Sequence, residues 1–265
     1  MMQAFPKIMC ILNATPDSFS DGDRFENVDN AVEFALHAAE RGVDIIDIGG
    51  ESTRPGSEAV AEQEELDRVI PIIEGIRRHN ANISLSIDTY KSAVAHDAVK
   101  SGANIVNDIS AGTFDEKMFE IVANLKVPII LMHTPSPPRT MQMNANYTDV
   151  VTDVKEFLRN RIQVAESFGI NEIIIDPGIG FGKKYEHNIE LIRKIDEFGE
   201  LNRPILLGIS RKSFLGQLTG ILSPTERDVA TILLHSLLLR NNIEYIRIHN
   251  FELAIQLKMI KNEIF

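Results

Sequence analysis

A single cysteine, Cys10, stands among 265 residues, so no internal disulfide can form; such sparing use of cysteine suits a reducing cytosol. Its setting, Ile8-Met9-Cys10-Ile11-Leu12, is that of a core residue and not of a nucleophile. No apolar run approaches the roughly 18 residues that a membrane span needs, and the N-terminus has no long apolar segment of the signal-peptide kind. Basic residues are in deficit: 27 Lys and Arg against 38 Asp and Glu leave a net charge of −11. That balance argues against broad binding to nucleic acid or to an anionic membrane. It leaves room for a small anionic ligand in a locally basic pocket. There is no linker rich in Pro, Gly and Ser, and no low-complexity tract. The expectation is one cytoplasmic domain spanning 1–265, with a hydrophobic content of 44% and a charged content of 25% typical of a soluble globule.

What the chain does contain is an alternation of short apolar runs and helical patterns. Strands are expected near 7–12, 43–48, 83–87, 104–107, 127–132, 172–175, 204–208 and 244–248, and helices near 29–41, 62–79, 91–101, 115–124, 148–168, 186–199, 226–241 and 250–262. The strands are continuous apolar runs, as parallel strands covered on both faces should be. Eight βα units in this length predict an α/β fold, a (β/α)8 TIM barrel, with a doubly wound sheet as the fallback. Three connections are long: 13–28, 49–61 and 133–147. Helix 226–241 is apolar on more than one face, which fits either a second subunit or deep burial.

Five apolar runs end in polar residues. The most informative leads into Asp176-Pro177-Gly178-Ile179-Gly180-Phe181-Gly182-Lys183; the others end at Glu51, Asp88, Asn107-Asp108 and His133. An aspartate at a buried strand end is costly unless something binds it, and alternating glycines allow close approach of backbone to a ligand. Lys184 follows Lys183, so the segment is no P-loop, and Lys183 stands where a dinucleotide fingerprint needs its third glycine. In a barrel every βα loop opens on one face. Two groups would then share one mouth. Asp88, Asn107 and Asp176 offer many acceptors and few donors, suited to a flat ligand rich in N–H groups with Ile109, Met132 and Phe181 against its ring; a cation site or a structural network fits the same residues. Arg211, Lys212, Arg247 and His249 form a basic group where this fold commonly cradles phosphate.

These segments resemble the dihydropteroate synthases of folate synthesis along nearly the whole chain. The resemblance rests on seven segments in order: 11–22 (Ile11 through Asn13 and Phe19 to Gly22), 47–56 (Asp47 through Gly49-Gly50-Glu51-Ser52-Thr53-Arg54-Pro55-Gly56), Ser86-Ile87-Asp88-Thr89, Asn107-Asp108-Ile109-Ser110, 176–183, Ser210-Arg211-Lys212-Ser213 and Arg247-Ile248-His249. It implies condensation of 6-hydroxymethyl-7,8-dihydropterin diphosphate with 4-aminobenzoate. It also implies catalytic Asp88, Asp176, Lys212, Arg247 and His249, with the pterin held by Asp88, Asn107, Asp176 and Lys212 and flanked by Ile109, Met132, Phe181 and Gly208. Arg247, His249, Thr53 and Arg54 would serve the diphosphate, Asn13 would ligate Mg²⁺, and Phe19, Pro55, Lys212 and Ser213 would border the aminobenzoate. A homodimer through the C-terminal barrel helices, sensitivity to sulfonamides and an SN1-like displacement are further expectations. The chain departs from the family pattern at Asn250, where aspartate is usual, and at Thr134, where methionine is common. Alternatives are a methyltetrahydrofolate-type pterin methyltransferase, a Schiff-base aldolase using Lys212, and a non-catalytic pterin-binding paralogue.

Overall fold

The computed structural model describes residues 4–14, 28–80 and 82–264. Its strands are Lys7–Asn13 (β1), Ile45–Gly49 (β2), Ser84–Asp88 (β3), Ile105–Asp108 (β4), Ile129–Met132 (β5), Ile173–Asp176 (β6), Leu206–Leu207 (β7) and Tyr245–Ile248 (β8). All ladders are parallel, in the order β6-β5-β4-β3-β2-β1-β8-β7. A bridge between Ile175 and Ile205 brings β6 against the β7 segment and closes the ring. The expected (β/α)8 barrel is the fold.

The helices are Val28–Glu40 (α1), Glu62–His79 (α2), Ser92–Ser101 (α3), Met118–Leu125 (α4), Val150–Ser167 (α5), Tyr185–Arg193 (α6), Ser213–Thr219 (α7), Asp228–Leu238 (α8) and Phe251–Ile264 (α9). Each of α1, α3 and α5 is followed by a glycine at positive φ, Gly42, Gly102 and Gly169, that turns the chain back into a strand. The short α7 was not foreseen; seven residues carry too little periodicity to stand out. The segment expected as one helix over 186–199 divides into α6 and a 3₁₀ turn at Ile195–Leu201. The helix expected from 115 begins at Met118, because Asp115 is spent on the backbone N–H groups of Ser92 (2.7 Å) and Lys117 (3.0 Å).

Alternate residues of a strand face opposite ways. One set, with α1 to α9 packed over it, builds the large outer core. The other set fills the barrel, where Met9, Ile45, Ile105, Ile130, Ile174 and Leu206 pack together with Tyr245 as an apolar layer. Two residues further along each strand stand Ile11, Asp47, Asn107, Met132, Asp176, Gly208 and Arg247. The polar layer at the C-terminal end of the barrel therefore rests on an apolar floor. Cys10 is fully buried, as its sequence setting implied. No helix among the described residues is long and apolar enough to cross a membrane.

Candidate active site at the C-terminal rim

Asp88, Asn107 and Asp176 are 7%, 5% and 6% exposed, at the ends of β3, β4 and β6. Burial raises the proton affinity of both carboxyls, that of Asp88 to a pKa of about 7. Arg247 was expected on the phosphate side, but its guanidinium reaches into the acidic group, with Nε 2.6 Å from Asp47 Oδ2 and Nη2 2.5 Å from Asp88 Oδ2. The same Asp47 oxygen accepts from Asn107 Nδ2 at 3.1 Å. Asp176 accepts the Gly178 N–H at 2.7 Å. A Cβ at Gly208 would lie 3.4 Å from Asp176 Oδ2 and 4.0 Å from Arg247 Cβ. Glycine at this place leaves an open notch shared by the acidic and basic residues.

The loop after β6 makes a close pass that only glycine permits. At Gly178 φ is +70°, and a side chain would stand 2.0 Å from the His133 carbonyl oxygen. Buried Lys183 ties the loops after β5 and β6 together through His133 Nδ1 (3.0 Å), Phe181 O (3.0 Å) and His133 O (3.4 Å). Burial lowers its pKa to about 7, and burial beside Lys183 lowers that of His133 to about 2. Ile109, Met132, Met141 and Phe181 form one apolar cluster, and Lys212 Nζ lies 3.8 Å from the centre of the Phe181 ring.

A cavity of about 460 Å³ opens on this rim. Asn13, Thr53, Arg54, Pro55, Phe181, Gly208, Ser210, Arg211, Lys212, Ser213, Arg247 and His249 are among its walls. The basic group that lines it carries less free charge than the sequence implied. Arg211 is held in a two-point ion pair by Asp228, at 2.7 and 2.8 Å. Burial lowers the pKa of His249 well below its ordinary value, with Arg211, Arg247 and Lys212 adding to the effect, so the ring is neutral near pH 7. Its Nδ1 lies 2.9 Å from Ser210 Oγ. Lys212, with its pKa lowered by burial to about 7, exposed Arg54 and Arg247 are among the cations that line the cavity.

The loop after β2 (49–61, loop 2) is pinned at both ends by Glu51, which accepts from Lys91 Nζ (2.5 Å), Tyr90 Oη (2.6 Å) and the Val60 N–H (3.1 Å). Its tip meets the loop after β5, where Gly56 N donates to Pro138 O at 3.1 Å. Mg²⁺ takes oxygen ligands and is commonly held by one or two protein groups together with substrate phosphates and water. Asn13 brings one amide oxygen to the cavity, and no group of three or more His, Cys, Asp and Glu among the described residues could hold a metal. This donor set fits an ion carried by a phosphate ligand. Phe19 lies outside the described residues.

The model of the pterin binding enzyme family matches residues 9–249. The chain belongs to that family. A dihydropteroate synthase of Synechocystis sp. is 40% identical over 260 residues, covering 97% of this chain and 90% of that protein. A dihydropteroate synthase of Xanthomonas albilineans, solved with 4-aminobenzoic acid, superposes with a TM-score of 0.90 at 40% identity, covering 98% of this chain and 93% of that one. The enzyme from that organism in complex with 7,8-dihydropteroate has a TM-score of 0.86 at 38% identity, over 98% and 94% of the two chains. Like these relatives, this pterin-binding enzyme is a transferase of the dihydropteroate synthase class.

Both departures from the family pattern are accommodated locally. Asn250 Nδ2 donates to Asp228 Oδ2 at 3.1 Å, where an aspartate would oppose it, and Asn250 Oδ1 accepts the Leu253 N–H at 3.2 Å. The Thr134 hydroxyl donates to Ser136 O at 2.9 Å, and Met141 folds back to complete the apolar cluster. Two buried residues of this rim are not singled out as site residues by the sequence. Asp47 looked like one more residue of an apolar strand, although its position two residues past a floor residue is the signal that finds it. Lys183 enters the sequence reading as the end of the 176–183 segment and as the residue that excludes nucleotide motifs, with no role of its own in the site.

Proposed function

We propose that the chain condenses 6-hydroxymethyl-7,8-dihydropterin diphosphate with 4-aminobenzoate, giving 7,8-dihydropteroate and diphosphate. The observation that carries this reading is the notch at Gly208, bounded by Asp176 Oδ2 on one side and Arg247 on the other, with Lys212 close to both. A small molecule seated at this notch would touch Asp176 as well as Arg247 and Lys212, which line the cavity. The names of the relatives, and the aminobenzoate and dihydropteroate bound to two solved structures, support it.

Asp88, Asp176 and the Asn107 amide accept the N–H edge of the pterin, while Met132 and Phe181 pack on its ring. The bond between the pterin methylene carbon and the diphosphate oxygen breaks first, and its electron pair leaves with the diphosphate. Asp88 and Asp176 stabilise the resulting pterin cation. The aminobenzoate nitrogen then bonds to that carbon and loses a proton. Thr53, Arg54, Arg247 and neutral His249 receive the departing oxygens by hydrogen bonds. Asn13 would hold Mg²⁺, which supplies positive charge to the leaving group. No covalent enzyme intermediate forms, and a pterin–protein adduct trapped on the turnover path would overturn this order. Mixing both substrates with the protein and Mg²⁺ tests the reaction itself. Dihydropteroate should appear only with both present, and its absence would refute the assignment.

A second reading has one observation in its favour: Lys212 has the lowered pKa that a Schiff-base lysine needs. Borohydride reduction during turnover should leave Lys212 unmodified. Because Pro55, Lys212 and Ser213 line the cavity and loop 2 is intact, sulfonamides should compete with 4-aminobenzoate; indifference to them would count against this placement. The dimer proposal rests on α8. Val229, Leu233 and Leu237 form an apolar stripe 58%, 59% and 70% exposed, which rules out deep burial within one chain and fits a second copy. Light scattering should give twice the 29.7 kDa chain mass, and Leu233→Lys should halve it. These substrates and the single buried cysteine suit the cytoplasm.

A further inference from the structure

We propose that Asp47 is a positioning residue for the pterin. By holding Asn107 Nδ2 and Arg247 Nε on one carboxylate oxygen, it turns the Asn107 carbonyl oxygen and the remaining Arg247 nitrogen toward the ligand. The proposal rests on the pterin-binding reading above and adds a residue that touches no substrate.

Asp47 is completely buried in the middle of β2, two residues before the end of the strand. In the ladder it is level with Ser86, while Gly49 is level with Asp88. Its Oδ2 receives two donors, Asn107 Nδ2 at 3.1 Å and Arg247 Nε at 2.6 Å. An asparagine side chain can present either its oxygen or its NH₂ to a ligand, and the two faces select opposite ligand edges. A buried anion beneath Asn107 settles the choice, because only the NH₂ can bond to it. The oxygen is thereby turned away from Asp47 and takes no protein donor among the described residues. A ligand edge made of N–H groups then meets three acceptors in a row, Asp88, Asn107 and Asp176. Arg247 is constrained the same way: Nε is on Asp47 and Nη2 on Asp88, so Nη1 is the nitrogen left for the cavity. Asp47 Oδ1 is buried without a partner among the described residues, a cost that a purely structural aspartate would shed by substitution.

The test uses Asp47→Asn and Asp47→Ser, with 6-hydroxymethyl-7,8-dihydropterin as the binding probe and both substrates in steady-state assays. With asparagine at 47 the amide of Asn107 is free to turn over. Affinity for the probe and KM for the pterin substrate should weaken by about 10- to 100-fold, the scale of a charge-assisted hydrogen bond lost. KM for 4-aminobenzoate should stay within about twofold. A merely structural defect lowers the active fraction and leaves both KM values alone. Unchanged pterin affinity in a folded variant would overturn the proposal. Should neither variant fold, labelled asparagine in the wild-type protein decides. The Asn107 carbonyl carbon signal should move on adding the probe, with side-chain N–H exchange slow both before and after. Side-chain N–H groups that exchange freely until the probe binds would overturn it. A wild-type protein that binds no pterin would refute the proposed function instead.

Discussion

Lys212 Nζ stands 3.8 Å from the centre of the Phe181 ring, with Asp176 and Asp88 supplying the negative charge around it. A buried ammonium over an aromatic face is worth about 2 kcal/mol. Phe181→Leu keeps a somewhat smaller apolar side chain in the cluster with Ile109, Met132 and Met141 but removes that face. KM for the pterin substrate should rise by about tenfold, and the melting temperature should fall by a few degrees as the contact between Lys212 and the ring is lost. An unaltered KM would show that the ring serves packing alone.

Two buried lysines make stability depend on pH. Lys183 and Lys212 each have a pKa lowered by burial from 10.5 to about 7. Between pH 7 and 10.5 the unfolded chain holds protons on these groups that the folded chain does not, so folding stability rises with pH across that window. As pH falls from 10.5 to 7 that contribution is lost, and below 7 both states hold these protons, so the two lysines add no further pH dependence. The melting temperature of the ligand-free protein should therefore climb from pH 7 to 9. In Lys183→Met the climb should be shallower. A profile that falls over this range would contradict the assignment.

Much of this arrangement was legible in the sequence. Apolar runs ending at Asp88, Asn107 and Asp176 located the barrel mouth, because parallel strands deliver their C-terminal residues to one face. What escaped was long-range. Asp47 meets Asn107 and Arg247 across 60 and 200 residues of chain, and nothing local announces such pairs. The charge state of His249 also depends on burial and on four cations that only folding assembles. Arg211 looked free in its motif, yet it is engaged by Asp228 from another helix.

That engagement yields a prediction at the Asn250 departure. Asn250→Asp would set a carboxylate beside Asp228 Oδ2, now 3.1 Å from the Asn250 amide nitrogen. It should cost about 1–2 kcal/mol, a fall of a few degrees in melting temperature, while the Leu253 cap survives. Equal or higher stability would mean that Asp228 is already neutralised by Arg211.

Loop 2 depends on a buried ion triad. Lys91 Nζ lies 2.5 Å from both Glu51 Oε2 and Glu65 Oε2, and burial raises the proton affinity of Glu65. Lys91→Met strands two buried carboxylates and should destabilise by about 3–5 kcal/mol. Glu65→Gln leaves the Glu51 pair intact and should cost far less. Both are read by thermal melts, and equal losses would contradict the triad.

The most direct test of the central claim is titration of Asp176→Asn and His249→Ala with three ligands: the intact pterin diphosphate, the pterin alcohol and diphosphate with Mg²⁺. The account predicts that both variants bind the intact substrate more weakly, that Asp176→Asn alone loses the alcohol, and that His249→Ala alone loses diphosphate. If the pterin alcohol bound Asp176→Asn as tightly as the wild type, or if each half-ligand left the other's site able to accept a whole second substrate, the two sets of residues would belong to separate pockets.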